Sequence, residues 1–366
     1  MCRLYFFCAL AKTSARILGA RNLLLTQCAL LLVSFARSSG LCFFPNLSQY
    51  NFFMRKLIIA QAFVTLIFLI LATASRPSGA QQATPSSAVP STSAMPAPSP
   101  TGPVHENVTY GTAGSETLLL DIFEPAANSD HPRPAVILIH GGGWTSFDKS
   151  TMRTLAQFLA RSGFVAVPVD YRLFHDGVNR WPAQLDDVQR SVRWLRANAA
   201  KFNVAPDHIG AYGHSAGAQL AALLGMIDTR DNSDTALAKY SSKVQAVVDS
   251  SGPTEFTGFP NDSDEDKFFS SFFGTSYSAH PEIWRDASPI DHVSKSNAPF
   301  LIIHGTHDDQ VSIAQAQALY DKLKEAGADV KFVRLDSDHM FREPAVRRQL
   351  ALETRLFFER YLVPSS

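Results

Sequence analysis

Residues 208–224 read HIGAYGHSAGAQLAALL, and they carry the sharpest signal in the sequence. The residues up to Tyr212 have the pattern of a buried strand, and those after Ser215 have the pattern of an apolar helix. A tight turn between the two brings the backbone together, so Gly213 and Gly217 avoid a side-chain clash and tolerate a strained backbone. The stretch predicts a nucleophile elbow, which lifts the hydroxyl of Ser215 above the edge of a sheet.

Segments with strand and helix patterns alternate along the chain on both sides of this elbow. Several of the strand segments are continuously apolar, as strands covered on both faces of a sheet are. Strands are predicted at Leu118–Phe123, Ala135–His140, Phe164–Asp170, His208–Tyr212, Val244–Ser250, Pro299–His304 and Val330–Leu335. Helices are predicted at 151–162, 183–200, 216–227, 311–326 and 344–362. The alternation indicates an α/β fold with a mostly parallel central sheet and helices on both faces.

The segment 254–297 breaks this alternation, because it is rich in Phe, Ser, Asp and Pro and shows little regular pattern. We expect it to form a small cap on the α/β domain. Inside this segment, a stretch of 18 residues holds six phenylalanines: Phe256, Phe259, Phe268, Phe269, Phe272 and Phe273. Two interpretations stay open: the rings pack the cap onto the sheet, or some of them line a pocket above Ser215 in a mobile lid.

A second motif, His140-Gly141-Gly142-Gly143-Trp144, directly follows a predicted strand. Three consecutive glycines expose backbone N–H groups that can converge on an anion. Beside a serine nucleophile, that anion would be the oxygen of a tetrahedral intermediate. The N–H of Ala216 points to the same space from the start of a helix. A phosphate-binding loop is the competing interpretation, but the lysine and the Ser/Thr of such loops are missing.

A serine nucleophile needs a base, and the base needs an acid that orients it. In hydrolases of this architecture the acid and then the histidine follow the serine along the chain. Asp308 and His339 each come just after a predicted strand. The carboxyl ends of parallel strands share one edge of the sheet, so both candidates are expected beside the elbow. Asp309 and Asp249 are the alternative acids.

The other histidines near these motifs are weaker candidates for a chemical role. His304 and His307 have H-x-x-H spacing, which is weak evidence for a metal site at the end of a strand. His214 is expected to shape the pocket, and His140 is expected to support the glycine loop through hydrogen bonds. We therefore expect neither a metal ion nor an organic cofactor.

Together these motifs resemble the α/β-hydrolase superfamily, and within it the carboxylesterases of the hormone-sensitive-lipase and bacterial feruloyl-esterase-like groups. The matching pieces are HGGGW at 140–144, VDYRL at 169–173, WPAQLDDVQRSVRWLRANAAKFNVAPDHIGAYGHSAG at 181–217, HGTHDDQV at 304–311 and DHMF at 338–341. The resemblance implies Ser215 as nucleophile, Asp308 as acid and His339 as base. It also implies an oxyanion hole formed by the N–H groups of Gly142, Gly143 and Ala216.

Two departures from these groups bear on the substrate. His214 stands where the hormone-sensitive-lipase group usually carries an acidic residue. Trp144 and the long helix at 183–200 are more similar to the feruloyl-esterase and arylformamidase side.

The chain is predicted to be a serine hydrolase that cleaves carboxylic esters through an acyl-enzyme. An amidase or arylformamidase-like hydrolase of the same fold is the alternative, and a catalytically silent hydrolase fold used as a binding module is another.

The first hundred residues have the character of processing and linking segments. Residues 54–76 begin with Met-Arg-Lys, continue with an apolar run and end near Ala-Thr-Ala, which predicts a signal peptide, with a retained anchor as the alternative. Residues 1–53 are interpreted as an extension of the gene model. Residues 77–103 hold 21 Pro, Ser, Ala and Thr in 27 positions and are predicted to be a linker. The catalytic domain is then 104–366, exported as a secreted or periplasmic protein.

Charge and cysteine usage exclude several classes of protein. Eight of the 33 basic residues precede Glu106, the first acid, so residues 104–366 hold 25 bases against 33 acids, a formal charge of −8. This balance argues against nucleic-acid binding. All four cysteines precede Met54, so the domain has no disulfide, thiolate-bound metal or cysteine nucleophile. The expected partner is a small-molecule ester, with a membrane only if the 57–74 segment is retained as an anchor.

Overall fold

The computed structural model describes residues 101–126, 129–260 and 262–364 of the chain. The predicted signal peptide or anchor, the segment that precedes it and nearly all of the predicted linker lie outside the described residues. Within the described ranges, no helix is long and apolar enough to cross a bilayer.

Eight strands in this part of the chain make up the central sheet: β1 (Thr101–Ala113), β2 (Glu116–Pro125), β3 (Arg133–Ile139), β4 (Val165–Val169), β5 (Val204–His214), β6 (Ala246–Ser250), β7 (Phe300–Gly305) and β8 (Val330–Leu335). Their order in space is β1-β2-β4-β3-β5-β6-β7-β8. The β1–β2 and β2–β4 pairs are antiparallel, and the remaining pairs are parallel. All seven predicted strands and the mostly parallel sheet are therefore confirmed.

The sequence does not predict the edge strand β1, and its first three residues fall in the segment predicted to be a linker. Two glycines, a proline and the charged Glu106 interrupt the apolar positions of this strand, so it contains no apolar run. Its only strand neighbour in the described sheet is β2, and among its further contacts is that of Tyr110, which is buried and whose hydroxyl donates to the carbonyl oxygen of Asp170 at 2.6 Å.

Seven α-helices of the described chain are α1 (Arg153–Arg161), α2 (Ala183–Ala197), α3 (Ala216–Met226), α4 (Asp264–Phe273), α5 (Pro281–Ala287), α6 (Ile313–Glu325) and α7 (Pro344–Leu362). Short 3₁₀ turns lie at Lys149–Met152, Ala199–Phe202 and Pro289–His292. The five predicted helices are confirmed, each ending within three residues of its expected bounds. The helices α4 and α5 were not expected.

Side chains alternate across the sheet and divide the core into two layers. On β3, Ile137 and Ile139 belong to one layer, whereas Val136 and Leu138 belong to the other, as the pleat of a strand requires. The first layer is completed by residues of α2, α3, α4, α5 and α6, and the second by residues of α1 and α7. Helices therefore cover both faces of the sheet, as the alternating pattern predicts.

The segment 254–297, predicted to be an irregular cap, is more regular than expected because it contains α4 and α5. Ser263 caps α4 by accepting the N–H of Asp266 at 3.1 Å, and Gly274 ends the helix in the left-handed conformation. A serine followed by three acids is an ordinary start signal for a helix. The aromatic residues then recur with a helical period, at Phe268, Phe269, Phe272 and Phe273.

Candidate active site

Ser215 stands in the turn between β5 and α3 with φ 55° and ψ −124°, a strained backbone for a residue with a side chain. Its N–H donates to the carbonyl oxygen of Ser250 at the end of β6, at 2.8 Å, which fixes the turn against the sheet. A Cβ added to Gly213 would overlap the backbone of Gly217, and one added to Gly217 would overlap the carbonyl oxygen of Ile139. The two glycines of the motif are therefore required by close backbone contacts.

A cavity of about 1240 Å³ contains Ser215. It is bounded by the glycine loop, by α1, by α7 and by the loop that carries His339. Its apolar lining includes Phe147, Met152, Leu155, Phe158, Phe341 and Leu350. None of the described residues of the 254–297 segment is part of this lining. The cavity thus lies on the α1 and α7 side, and the cap does not cover it.

Asp308 and His339 lie in the loops after β7 and β8, and the structure brings them together. Asp308 Oδ2 is 2.7 Å from His339 Nδ1, with the two side chains 0% and 3% exposed. Asp308 Oδ1 accepts the N–H groups of Gln310 and Val311 at 3.0 and 2.9 Å. Because Nδ1 is held by Asp308, Nε2 is the ring nitrogen left to exchange a proton with Ser215, which lines the same cavity.

Asp308 is built to stay ionised. Burial opposes ionisation, but hydrogen bonds from His304, His339 and the N–H groups of Val311 and Gln310 outweigh it and hold the pKa of Asp308 well below its usual range. A carboxylate in this position orients the imidazole and stabilises the imidazolium that forms when it takes a proton.

The alternative acids lie elsewhere. Asp309 is exposed, and neither it nor Asp249 is hydrogen-bonded to His339 in the described structure. Asp249 is buried on β6, where its Oδ1 accepts the N–H of Gly252 at 2.9 Å. Burial raises the pKa of Asp249 to about 6, against the lowering effects of the Gly252 N–H and His304. The geometry therefore favours Asp308 as the partner of His339.

The glycine loop presents its N–H groups to the cavity. Gly142 and Gly143 have φ of 106° and 58°, and a Cβ on Gly142 would overlap the carbonyl oxygen of Ser146. Gly142 O accepts the N–H groups of Thr145 and Ser146, both at 3.1 Å, which closes the turn. No acceptor within the described ranges takes the N–H of Gly142 or Gly143. Ala216 is the first residue of α3, where a helix leaves its N–H groups without intrahelical partners.

The loop rests on His140, which is buried directly beneath it. His140 Nδ1 is 2.7 Å from Gly141 O, and its ring stacks on Tyr171 with the centroids 4.3 Å apart. The hydroxyl of Tyr171 donates to His140 O at 3.0 Å. Burial lowers the pKa of His140, although the hydrogen bond to Gly141 acts in the opposite direction. The supporting role predicted for this histidine is confirmed.

His214 packs beside the candidate base and lines the cavity. Its ring lies 5.0 Å from that of His339 and 6.0 Å from that of Phe341. Burial, followed by the neighbouring His339, lowers the pKa of His214 to about 4. This histidine is therefore neutral at pH 7 and shapes the pocket without adding charge to it.

The H-x-x-H pair separates in space. His304 is buried, with Nε2 at 2.8 Å from Val311 O and 3.2 Å from Asp308 Oδ2. His307 is exposed, 3.1 Å from a carboxylate oxygen of Asp336. No group of His, Cys, Asp and Glu in the described part of the chain could hold a metal ion. The contact between His304 and Asp308 is not predicted from the sequence, because it joins the end of β7 to the loop that follows and no regular spacing indicates it.

The aromatic residues of the cap pack away from the cavity. Phe272 is 1% exposed and stacks on Trp144, with the ring centroids 5.2 Å apart. Phe273 is buried against Trp284 at 4.8 Å. Trp144 also donates from Nε1 to Gln219 Oε1 at 3.2 Å. Of the two interpretations, the structure supports packing of the cap onto the sheet.

Residues 120–323, more than half of the chain, match the BD-FAE family. The match includes Ser215 and Asp308 and ends before His339. Esterase LipC of Mycobacterium tuberculosis is 30% identical over 247 residues, which are 63% of this chain and 60% of LipC. Esterase LipQ of the same organism is 31% identical over 238 residues, 64% of this chain and 56% of LipQ. The chain thus spans less than two thirds of the length of these relatives.

Solved structures of esterases share the fold. A truncated carbohydrate esterase from gut microbiota has a TM-score of 0.61 at 26% identity, over 72% of this chain and 98% of that one. A thermophilic esterase from Thermogutta terrifontis with bound butyrate has a TM-score of 0.62 at 25% identity, over 71% of this chain and 96% of that one. Thermogutta terrifontis esterase 2 phosphonylated by sarin gives the same values. The chain belongs to the BD-FAE family, and its fold is that of the α/β-hydrolase serine esterases.

Proposed function

We propose that this chain is a serine hydrolase that cleaves carboxylic esters through an acyl-enzyme intermediate. The observation that carries the proposal is the buried Asp308–His339 hydrogen bond, 2.7 Å long, whose histidine lines the same cavity as the strained Ser215. The relatives named as esterases support the same reaction class, as does the butyrate bound to the esterase of Thermogutta terrifontis.

In the proposed mechanism, Nε2 of His339 takes the proton of Ser215 Oγ as the oxygen attacks the ester carbonyl. The N–H groups of Gly142, Gly143 and Ala216 donate to the oxyanion of the tetrahedral intermediate. His339 then gives its proton to the departing alcohol, and the acyl group stays bound to Ser215 Oγ. A water molecule, deprotonated by His339, releases the acid by the same steps in reverse order. Asp308 stays ionised throughout.

Replacement of the nucleophile tests this proposal. Ser215→Ala is expected to abolish hydrolysis of p-nitrophenyl butyrate while the urea unfolding curve stays close to that of the wild type. Ser278→Ala, an exposed serine in the 254–297 segment, is the matched control and should retain full activity. Hydrolysis by the Ser215 variant at the wild-type rate would refute the assignment.

A fluorophosphonate probe and a substrate panel separate the alternative functions. The sarin adduct of the Thermogutta terrifontis esterase supports labelling by organophosphorus reagents. A catalytically active Ser215 reacts covalently with such a probe, whereas a silent binding module does not. Comparison of an acyl ester, a feruloyl ester and an N-formyl amide then distinguishes an esterase from an amidase or arylformamidase-like hydrolase. We expect turnover of the esters and little or none of the amide.

We further propose that the protein is exported, secreted or periplasmic, after removal of a signal peptide within residues 54–76. The basic start, apolar run and small-residue exit of that segment support the proposal. Sequencing of the N-terminus of the mature protein tests it, and a first residue shortly after Ala74 is expected. Recovery of a peptide from before Met54 would overturn the interpretation of residues 1–53 as an extension of the gene model.

A further inference from the structure

The cavity that contains Ser215 has two walls of different character. The apolar wall is formed by Met152, Leu155 and Phe158 at and within α1. The basic wall is formed by Arg347, Arg348 and Arg355 of α7. No Asp or Glu of the described chain lines this cavity. The space beside the candidate nucleophile is therefore amphipathic, with positive charge at one side only.

The arginines of this wall are only partly neutralised by the protein. Arg355 Nε lies 3.6 Å from Glu359 Oε1, which is too far for a hydrogen bond. The Nε atom is buried and has no hydrogen-bond acceptor in the described structure. Arg347 donates to the backbone carbonyl of Arg342 at 2.8 Å rather than to a carboxylate. Arg348 is exposed and has no hydrogen bond or ion pair within the described ranges. Donors thus remain for an external anion.

The position of these arginines differs from the charge of the domain as a whole. Residues 104–366 carry 33 acids and 25 bases, so a basic cluster with no acid beside the nucleophile is a local reversal of sign. Arg348 and Arg355 are seven residues apart and Arg347 stands next to Arg348, so the three side chains lie toward one side of α7. A cleft with charge of one sign on low-dielectric walls attracts ligands of the opposite sign.

Resting on the proposed esterase function, we propose that the substrates of this site are esters with an apolar body and a distal anionic group, a carboxylate or a phosphate. The ester carbonyl lies at Ser215, the apolar body lies along α1, and the anion meets the guanidinium groups of α7. Guanidinium groups bind carboxylate and phosphate with paired hydrogen bonds. A volume of about 1240 Å³ leaves room for such a molecule, since pockets of roughly 300–1,000 Å³ hold drug-sized ligands.

Matched esters test the preference directly. The substrates are the mono-p-nitrophenyl esters of adipic, suberic and sebacic acids and the same compounds with the distal carboxyl group methylated. At low salt, kcat/KM is expected to favour the free acid over its methyl ester by about tenfold at one chain length or more. High salt should reduce this ratio because it screens partly exposed charges. Comparison of kcat/KM for a phosphate-terminated ester of the preferred length shows whether the site accepts phosphate as well as carboxylate.

Variants locate the preference in α7. The triple variant Arg347→Gln, Arg348→Gln, Arg355→Gln is expected to lose the preference for the acid, because its kcat/KM falls by a larger factor for the free acid than for the methyl ester. Arg360→Gln, on the same helix but outside the cavity lining, should keep the preference. If the triple variant does not fold, Arg348→Gln alone should reduce the ratio about threefold.

The outcomes separate this inference from the proposed function. Hydrolysis of the methyl esters with no preference for any free acid in the wild type would overturn the anionic substrate and leave the esterase function standing. An equal loss on acid and methyl ester in the variants would overturn it as well, because the arginines would then only support the wall. Failure to hydrolyse any of the esters would overturn the proposed function itself.

Discussion

Truncation of Phe272 to alanine tests whether the cap is part of the core or part of the substrate pocket. The ring is 1% exposed, and its centroid lies 5.2 Å from Trp144, 5.4 Å from Phe174 and 5.2 Å from Phe273. Phe→Ala at such a site lowers the free energy of unfolding by about 3–5 kcal/mol. In a domain of this size each kcal/mol corresponds to about 2–4 °C, so we expect Tm to fall by roughly 6–20 °C.

The assay combines urea unfolding with kcat/KM for p-nitrophenyl acetate and p-nitrophenyl decanoate. Because Phe272 does not line the cavity, any loss of activity should be the same fraction for both esters. Phe259→Ala is the matched control, since that ring is half-buried and stacks only on Phe269 in the described structure, at 5.2 Å. Phe259→Ala should lower the free energy of unfolding by about 1 kcal/mol. An unchanged free energy of unfolding, together with a loss of kcat/KM for the decanoate alone, would refute the reasoning. Phe272 would then be part of the substrate pocket.

Three further changes give distinct outcomes. Leu155→Ala, in the apolar wall of the cavity, should lower kcat/KM for p-nitrophenyl decanoate several times more than for the acetate, and an equal effect would contradict the wall. Asp187→Asn removes the negative charge and replaces one of the two oxygens that accept 2.8 Å hydrogen bonds from the guanidinium of Arg172, so it should lower the free energy of unfolding in urea by about 3 kcal/mol. Burial raises the pKa of Asp249 to about 6, so its folded form keeps a proton that the unfolded chain loses near pH 4. Wild-type stability should therefore fall relative to Asp249→Asn, by up to about 3 kcal/mol, as the pH rises from 4 to 6, and a pH-independent difference in urea unfolding would contradict this.

The elements that the sequence predicts are those whose signals are local. A continuous apolar run such as Val165–Val169 is buried whatever its neighbours are, so its strand is readable from the chain alone. The elbow is likewise a contact between residues a few positions apart, at Gly213 and Gly217. Asp308 and His339 follow from the ends of two such strands, and the structure places them in contact.

The elements that the sequence does not predict depend on distant partners. β1 is a strand because β2 offers it an edge, and its own mixture of glycine, proline and charge carries little signal. In α4 the aromatic residues come in adjacent pairs, which obscures the helical period that they follow. That α1 and α7 enclose the cavity depends on which face of the sheet each helix crosses, and no short stretch of sequence records this.

Trp144 connects two parts of the molecule that are otherwise separate. It directly follows the three glycines of the glycine loop with φ 60°, and its ring contacts Phe256, Phe269 and Phe272 of the cap. The conformation of the glycine loop is therefore coupled to the order of an aromatic cluster on the other layer of the core. Phe272→Ala should consequently loosen the glycine loop as well as the core, and any loss of kcat/KM that results should be the same for esters of every acyl length.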